Sequence, residues 1–214
     1  MYAKCFKRVI DFVLSLCALM VLSPVLLILT VLGAIKMKGN PFFTQLRPGK
    51  NEKIFRLIKF RSMTCETDEN GVPLPDEVRL TKYGKFLRAS SLDELPELIN
   101  ILVGDMSIVG PRPLLVKYLP YYSEEQRLRH TVRPGLTGYA QAHGRNGVDW
   151  DRKLEMDVQY VRKITFIGDL KILLDTVLAV VKRDGISQEG NATMEDFEDY
   201  VLHKRSLEAE NTVP

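Results

Sequence analysis

Asp93 and Glu94 are adjacent carboxylates within Ser91–Pro113, SLDELPELINILVGDMSIVGPRP, where an apolar helical stripe and a Gly-Pro-Arg-Pro turn follow them. A carboxylate ionised at neutral pH is a nucleophile that needs no base. Its obstacle at a phosphate is charge repulsion, so cations should accompany it. Lys59 and Arg61 end an extended segment, and Arg88 falls just before the acid pair. Arg112 is held between two prolines, a preorganised guanidinium whose planar fork suits phosphate oxygens. Arg133, Arg145 and Asn146 belong to RPGLTGYAQAHGRN, whose three glycines and one proline allow close approach of backbone to a ligand. A purely structural reading competes at each position: Ser91 to Glu94 fits a helix-capping box, and exposed basic residues are usually only solvated.

Other chemistries find no support. There is no Gly-x-x-x-x-Gly-Lys-Ser/Thr loop, no GxGxxG and no HExxH. The three cysteines, Cys5, Cys17 and Cys65, lack metal-ligand spacing, and the three histidines are scattered. A net charge of +3, with bases spread among acids, does not call for nucleic acid. The odd cysteine count suits a reducing, cytosol-facing location.

The elements that must position these residues can be read in order. Phe12–Ile35 runs 24 residues without a charge, a membrane segment by length and composition. Ser23-Pro24 divides it into two halves of 12 residues, each about 18 Å long as helix, too short to cross a hydrocarbon core of about 30 Å. Lys4, Lys7 and Arg8 flank one end and Lys36 and Lys38 the other, so positive charge does not select an orientation. A re-entrant helical hairpin and a Pro-kinked spanning helix both fit. Phe42–Arg47 and Lys53–Phe60 form a β-hairpin about Pro48-Gly49-Lys50-Asn51, with Ile54, Ile58 and Phe60 on one face. Residues 64–78 read as a polar loop and Arg79–Arg88 as a basic helix. Leu95, Leu98, Ile99 and Leu102 predict a helix from about Leu92 to Val103, stopped by Gly104. Leu114–His130 should be helical, Arg133–Asn146 a loop, and Glu155–Lys163 either helix or strand. Asp169–Lys182 is a strongly apolar helix, interfacial or core. The acidic tail is expected to lack structure beyond about Lys204.

One membrane dip, an acid pair and several cations in rigid loops point to a membrane-surface site for an anionic, phosphate-bearing substrate. The fold class expected is α+β: a small mixed helical domain with a short β-hairpin, an N-terminal re-entrant membrane helix broken at Ser23-Pro24, and amphipathic interfacial helices. The domain limits are 1–38 for the membrane hairpin, 39–187 for a cytoplasmic catalytic domain and 188–214 for an acidic, partly disordered tail.

From Lys7 to Glu189 the sequence resembles the monotopic bacterial phosphoglycosyl transferases of the bacterial sugar transferase family, especially small single-domain members of the PglC type. The matching motifs are KRVID (Lys7–Asp11), Ser23-Pro24, FTQLRPGKNEKIFRLIKFRSM, SLDELPELIN, GDMSIVGPRP, VRPGLTGYAQ and HGRN. The resemblance implies transfer of a phosphosugar from a UDP-sugar to polyprenyl (undecaprenyl) phosphate, the first membrane step of glycoconjugate assembly. It makes Asp93 the nucleophile that carries a covalent phosphosugar, and Glu94 a ligand of Mg²⁺. It implies UDP-N,N'-diacetylbacillosamine or a UDP-N-acetylhexosamine as donor, and a location on the cytoplasmic face of the inner membrane, with membrane lipid and downstream glycosyltransferases as partners. It favours the re-entrant hairpin, and the extra N-terminal membrane domain of larger members is not expected. The alternatives are a non-catalytic, membrane-attached protein that binds nucleotide-sugar or polyprenyl phosphate, and a UDP-sugar hydrolase.

Overall fold

The computed structural model describes residues 2–144, 148–181 and 196–210. Arg145 and Asn146, and the stretch 182–195, lie outside the described residues. The chain divides into two compact units, one comprising residues 3–46 and 55–108, the other Tyr2, 47–54 and 109–214. Its elements include two two-stranded sheets, pairing β1 (Phe42–Pro48) with β2 (Ile54–Phe60) and β3 (Ser107–Val109) with β4 (Gly135–Thr137). The mixed helical and β-hairpin character of the expected α+β class is therefore present.

The first unit begins with α1, Lys7–Lys36, a helix long and apolar enough to cross a membrane. It is not interrupted at Ser23-Pro24: helical structure runs through Pro24. Proline there removes the amide that would bond the carbonyl of Met20. Ser23 Oγ donates to that carbonyl at 2.8 Å, so the lost bond is replaced within the helix. Burial along α1 falls at its two ends. Asp11 and Ser15 are buried near one end, Leu29 and Gly33 near the other. Arg8 Nη1 and Nη2 donate to the carbonyls of Ile101 and Leu102 at 2.5 and 2.8 Å, and Asp11 accepts from Ser107 Oγ at 2.7 Å and the Ile108 amide at 3.0 Å. At the other end Leu29 packs with Phe60 and Leu87, and Tyr83 Oη donates to the Leu29 carbonyl at 2.9 Å.

The hairpin forms as expected, but with a different buried face. Phe55 and Leu57 are buried while Ile54 is exposed. Lys59 has the same strand parity as Phe55 and Leu57, so its side chain starts toward the interior. Phe60 is also buried, from the opposite parity, and stacks on Phe42 with ring centroids 5.3 Å apart. Helices α2 (Asp76–Arg79) and α3 (Lys82–Ala89) follow the polar loop.

The expected helix from Leu92 is split. Leu92–Glu94 is a 3-10 turn, and α4 spans Glu97–Val103 after Pro96. Proline favours a helix start, not an interior position, so it moves the α-helical start past the acid pair. Gly104, with φ +99°, closes α4 as the periodicity anticipated.

In the second unit, Leu114–His130 is not one helix. It forms 3-10 turns at Val116–Tyr121 and Leu128–Thr131 around α5 (Glu124–Arg127), which Ser123 and Gln126 cap reciprocally. Pro120 lies in the first turn, and Tyr122 is extended. The Gly-rich segment after Arg133 is not a plain loop either, since it contains β4 and α6 (Tyr139–His143). Glu155–Lys163 resolves as helix, within α7 (Trp150–Arg162). Helix α8 spans Phe166–Val181, burying Asp169 and Ile172 while Ile167, Leu170, Leu174, Val177 and Leu178 are exposed. That is a one-sided apolar helix, not a core one.

The tail departs most from expectation: α9 runs from Phe197 to Glu210, past Lys204. One aromatic residue explains its attachment. Phe197 is 1% exposed, in a core cluster with Tyr118, Tyr122, Trp150 and Leu154. Lys117 Nζ holds Asp196 at 2.6 Å beside it.

Candidate active site

In the first unit the acid pair sits in the 3-10 turn. The capping box is not formed: Ser91 adopts φ +54° and makes no side-chain capping bond. Glu94 points elsewhere. Its Oε1 is 2.7 Å from Lys59 Nζ, and the same ammonium is 3.0 Å from Glu97 Oε1. Glu97 is almost fully buried, at 3% exposure, so its charge needs the lysine. Lys59 is thus an ion-pair partner of two carboxylates in this structure.

Asn100 sets this register. Its Nδ2 donates to the Arg56 carbonyl at 2.8 Å, and its Oδ1 accepts from the Ile58 amide at 3.1 Å. A buried amide side chain that satisfies the backbone of β2 on both sides of Leu57 fixes α4 against the strand. Lys59 follows one residue later. Neither Glu97 nor Asn100 was singled out by motif. The available signal was spacing, since Glu97 and Asn100 continue the Glu94 face at i+3 and i+6.

Arg88 and Arg61 are held near the same strand end. Arg88 Nε donates to Ser62 Oγ at 2.9 Å, and the Arg88 side chain is otherwise on an exposed residue. Arg61 donates to Cys65 Sγ at 2.8 Å and to the Phe42 carbonyl at 3.3 Å. The structure therefore joins Lys59 to Glu94 and anchors Arg61 and Arg88 on the segment that follows Lys59.

Mg²⁺ takes hard oxygen ligands, and often only one or two carboxylates with substrate phosphates completing the shell. Among the described residues no group of three or more His, Cys, Asp or Glu side chains could hold a metal alone. The carboxylates of Asp93 and Glu94 suit the shared kind of site, in which a diphosphate supplies the remaining oxygens.

Arg112 and Arg133 belong to the second unit, where their loops are zipped together. The Gly110 amide donates to the Thr137 carbonyl at 2.8 Å, and the Gly135 amide to the Pro111 carbonyl at 2.9 Å. A Cβ on Gly135 would lie 2.1 Å from the Gly110 nitrogen, so this approach requires glycine. Arg112 is exposed and lines a shallow cleft with Pro48, Gly49, Arg129 and His130. Burial, with Arg129 and Arg127 nearby, pushes the His130 imidazole down to about 3, so it is neutral at physiological pH. Arg129 Nη1 lies 3.4 Å from His130 Nε2. A guanidinium only donates, which makes that nitrogen the acceptor and puts the imidazole proton on Nδ1.

The bacterial sugar transferase family model matches residues 2–183. The chain belongs to the bacterial sugar transferase family. An uncharacterized sugar transferase, EpsL, of Bacillus subtilis is 49% identical over 191 residues, covering 89% of this chain and 95% of that protein. The UDP-glucose:undecaprenyl-phosphate glucose-1-phosphate transferase of Klebsiella pneumoniae is 40% identical over 182 residues, 80% of this chain and 39% of its own. The undecaprenyl-phosphate galactose phosphotransferase of Salmonella typhimurium is 35% identical over 201 residues, 86% of this chain and 42% of its own. The chain thus spans about two fifths of the latter two relatives, 39% and 42% of their lengths. As a sugar transferase, the molecule places its acid pair beside a lysine in one unit and its Pro-Arg-Pro turn in the other.

Proposed function

We propose that this sugar transferase moves a phosphosugar from a UDP-sugar to a polyprenyl phosphate such as undecaprenyl phosphate, releasing UMP. The observation that carries this reading is the Lys59 contact at 2.7 Å with Glu94, next to Asp93, in a chain of this family. A cation already paired with Glu94 moderates the charge of the dyad before a diphosphate arrives. Asp93 attacks the β-phosphorus, and the bond from that phosphorus to the bridging oxygen of UMP breaks. The aspartyl-phosphosugar is then attacked by a phosphate oxygen of the lipid, which returns the Asp93 carboxylate. Lys59, Arg88, Arg112 and Arg133 bind the phosphates, as do Arg61, Arg145 and Asn146 in this reading. Mg²⁺ is the implied cofactor, held by Glu94 with diphosphate oxygens, where it would neutralise charge on the leaving UMP.

UMP release measured with undecaprenyl phosphate tests the reaction. The donors to compare are UDP-N,N'-diacetylbacillosamine and UDP-N-acetylhexosamines, with UDP-glucose and UDP-galactose as controls suggested by the relatives. Sustained release that needs the lipid, together with a lipid-linked product, is expected for at least one donor. Sustained release without lipid would make the protein a hydrolase, and donor binding without release would make it the non-catalytic binder.

The same reading places the protein on the cytoplasmic face of the bacterial inner membrane, with both ends of α1 on that side and its middle bent into the bilayer at Ser23-Pro24, where proline kinks a helix without ending it. Its support is that both ends of α1 pack on the same unit, through Asp11 and Ser15 and through Leu29 and Gly33, while the residues between them are not buried. The exposed apolar face of α8 then rests in the interface. Single cysteine probes should label from the cytoplasmic side alone near residue 4 and near Lys38, and a probe at Leu174 should be quenched by lipid. Labelling of the two ends from opposite sides would establish a spanning helix instead.

A further inference from the structure

Pro111-Arg112-Pro113 offers one backbone amide in three residues, so its path must be held through carbonyls. All three are held. The Pro111 carbonyl accepts from the Gly135 amide at 2.9 Å, the Arg112 carbonyl from Arg129 Nη2 at 2.7 Å, and the Pro113 carbonyl from Arg47 Nη1 at 3.2 Å. The central anchor is unusual in its burial. Arg129 is 2% exposed and Asp157, its partner, 4%. The aspartate accepts from Arg129 Nε at 3.1 Å and from Nη2 at 2.7 Å, and the guanidinium carbon lies 5.7 Å from the Tyr122 ring centre. Burying two charges costs desolvation energy that apolar residues of similar volume would avoid, so such a pair is weakly explained by stability alone. Here Arg129 Nη2, which also holds Asp157, donates to the carbonyl of the one residue of the turn that carries a cation.

We propose that Arg129, fixed by Asp157, is a positioning residue for Arg112, setting the direction in which its guanidinium meets the diphosphate of the donor. The inference rests on the reading of Arg112 as a phosphate ligand. Arg129 itself touches no substrate. Asp157 holds two of the Arg129 nitrogens, so the planar fork cannot turn away from the Arg112 carbonyl. A lysine at 129 would keep the charge but could not span carboxylate and carbonyl in the same fixed plane.

The test is a double-mutant cycle on the full chain with Arg129→Lys and Arg112→Ala, reading KM for the UDP-sugar, KM for polyprenyl phosphate and kcat. Arg129→Lys should raise the donor KM about tenfold, the size of one hydrogen bond to a charged group, and change lipid KM and kcat little. With Arg112 already truncated, Arg129→Lys should add almost nothing. A role confined to stability would lower the melting temperature and the active fraction without moving donor KM, and that result overturns the proposal. Independent, additive effects overturn it too, while leaving Arg112 as a ligand. If Arg112→Ala leaves donor KM unchanged, the reading of Arg112 falls and this inference falls with it. Should Arg129→Lys fail to fold, Asp157→Glu, which keeps the charge and displaces the carboxylate, gives the same cycle with the same outcomes.

Discussion

Asp93→Asn is expected to reduce phosphosugar transfer at least about 1000-fold, because an amide oxygen of the same size has no comparable nucleophilicity. The fold should survive. The turn that carries Asp93 is held by backbone bonds, from the Glu94 amide to the Ser91 carbonyl and from the Leu95 amide to the Leu92 carbonyl, each 3.3 Å. Lys59 pairs with Glu94 and Glu97, side chains that this substitution leaves in place. Intact mass provides a second readout. Incubated with Mg²⁺ and a competent UDP-sugar but no lipid, the wild-type protein should gain the mass of one phosphosugar, and Asp93→Asn should gain none. Transfer above about a tenth of the wild-type rate, or an adduct on the variant, would remove Asp93 from the nucleophilic role.

Phe197→Ala is expected to destabilise the second unit by about 3–5 kcal/mol, the range for deleting a buried aromatic ring. Its ring centre lies 5.4 Å from that of Tyr118, 5.3 Å from Tyr122 and 5.1 Å from Trp150, so truncation opens a cavity in the middle of the aromatic cluster. For a chain of this size the melting midpoint should fall roughly 10 °C. Tyr122 also lies beneath the buried Arg129, so loosening the cluster should weaken donor binding at temperatures near the new midpoint. An unchanged melting curve would show that α9 adds nothing to the core. The residue lies beyond the segment matched by the family model, which ends at residue 183. The C-terminal helix thus contributes Phe197 to the aromatic core from outside the matched segment.

Much of the local structure was legible because it depends on near neighbours. The uncharged run of α1, the hairpin about Pro48-Gly49 and the stop at Gly104 follow from composition, turn chemistry and periodicity, which operate within a few residues. The acid pair and the basic residues were found by their types and by motif order. Periodicity erred where a single proline outweighed it, as at Pro96, which moved the acid pair out of α4, and at Pro120, which accompanies 3-10 structure in place of a continuous helix. Composition erred at the tail, since an acidic segment with one well-placed phenylalanine can still dock.

What the sequence by itself determined was the inventory: an apolar N-terminal helix, a carboxylate pair, cations on rigid loops and the family to which they belong. Tertiary structure decided how the inventory is used. Lys59 is committed to Glu94 and Glu97 because strand parity turns it inward and Asn100 locks β2 to α4, two facts separated by some 40 residues of chain. Arg112 sits on a turn fixed by Arg129 and Asp157 because a proline-flanked backbone has too few donors to hold itself. Such pairings depend on distances between residues remote in sequence, and no local propensity records them.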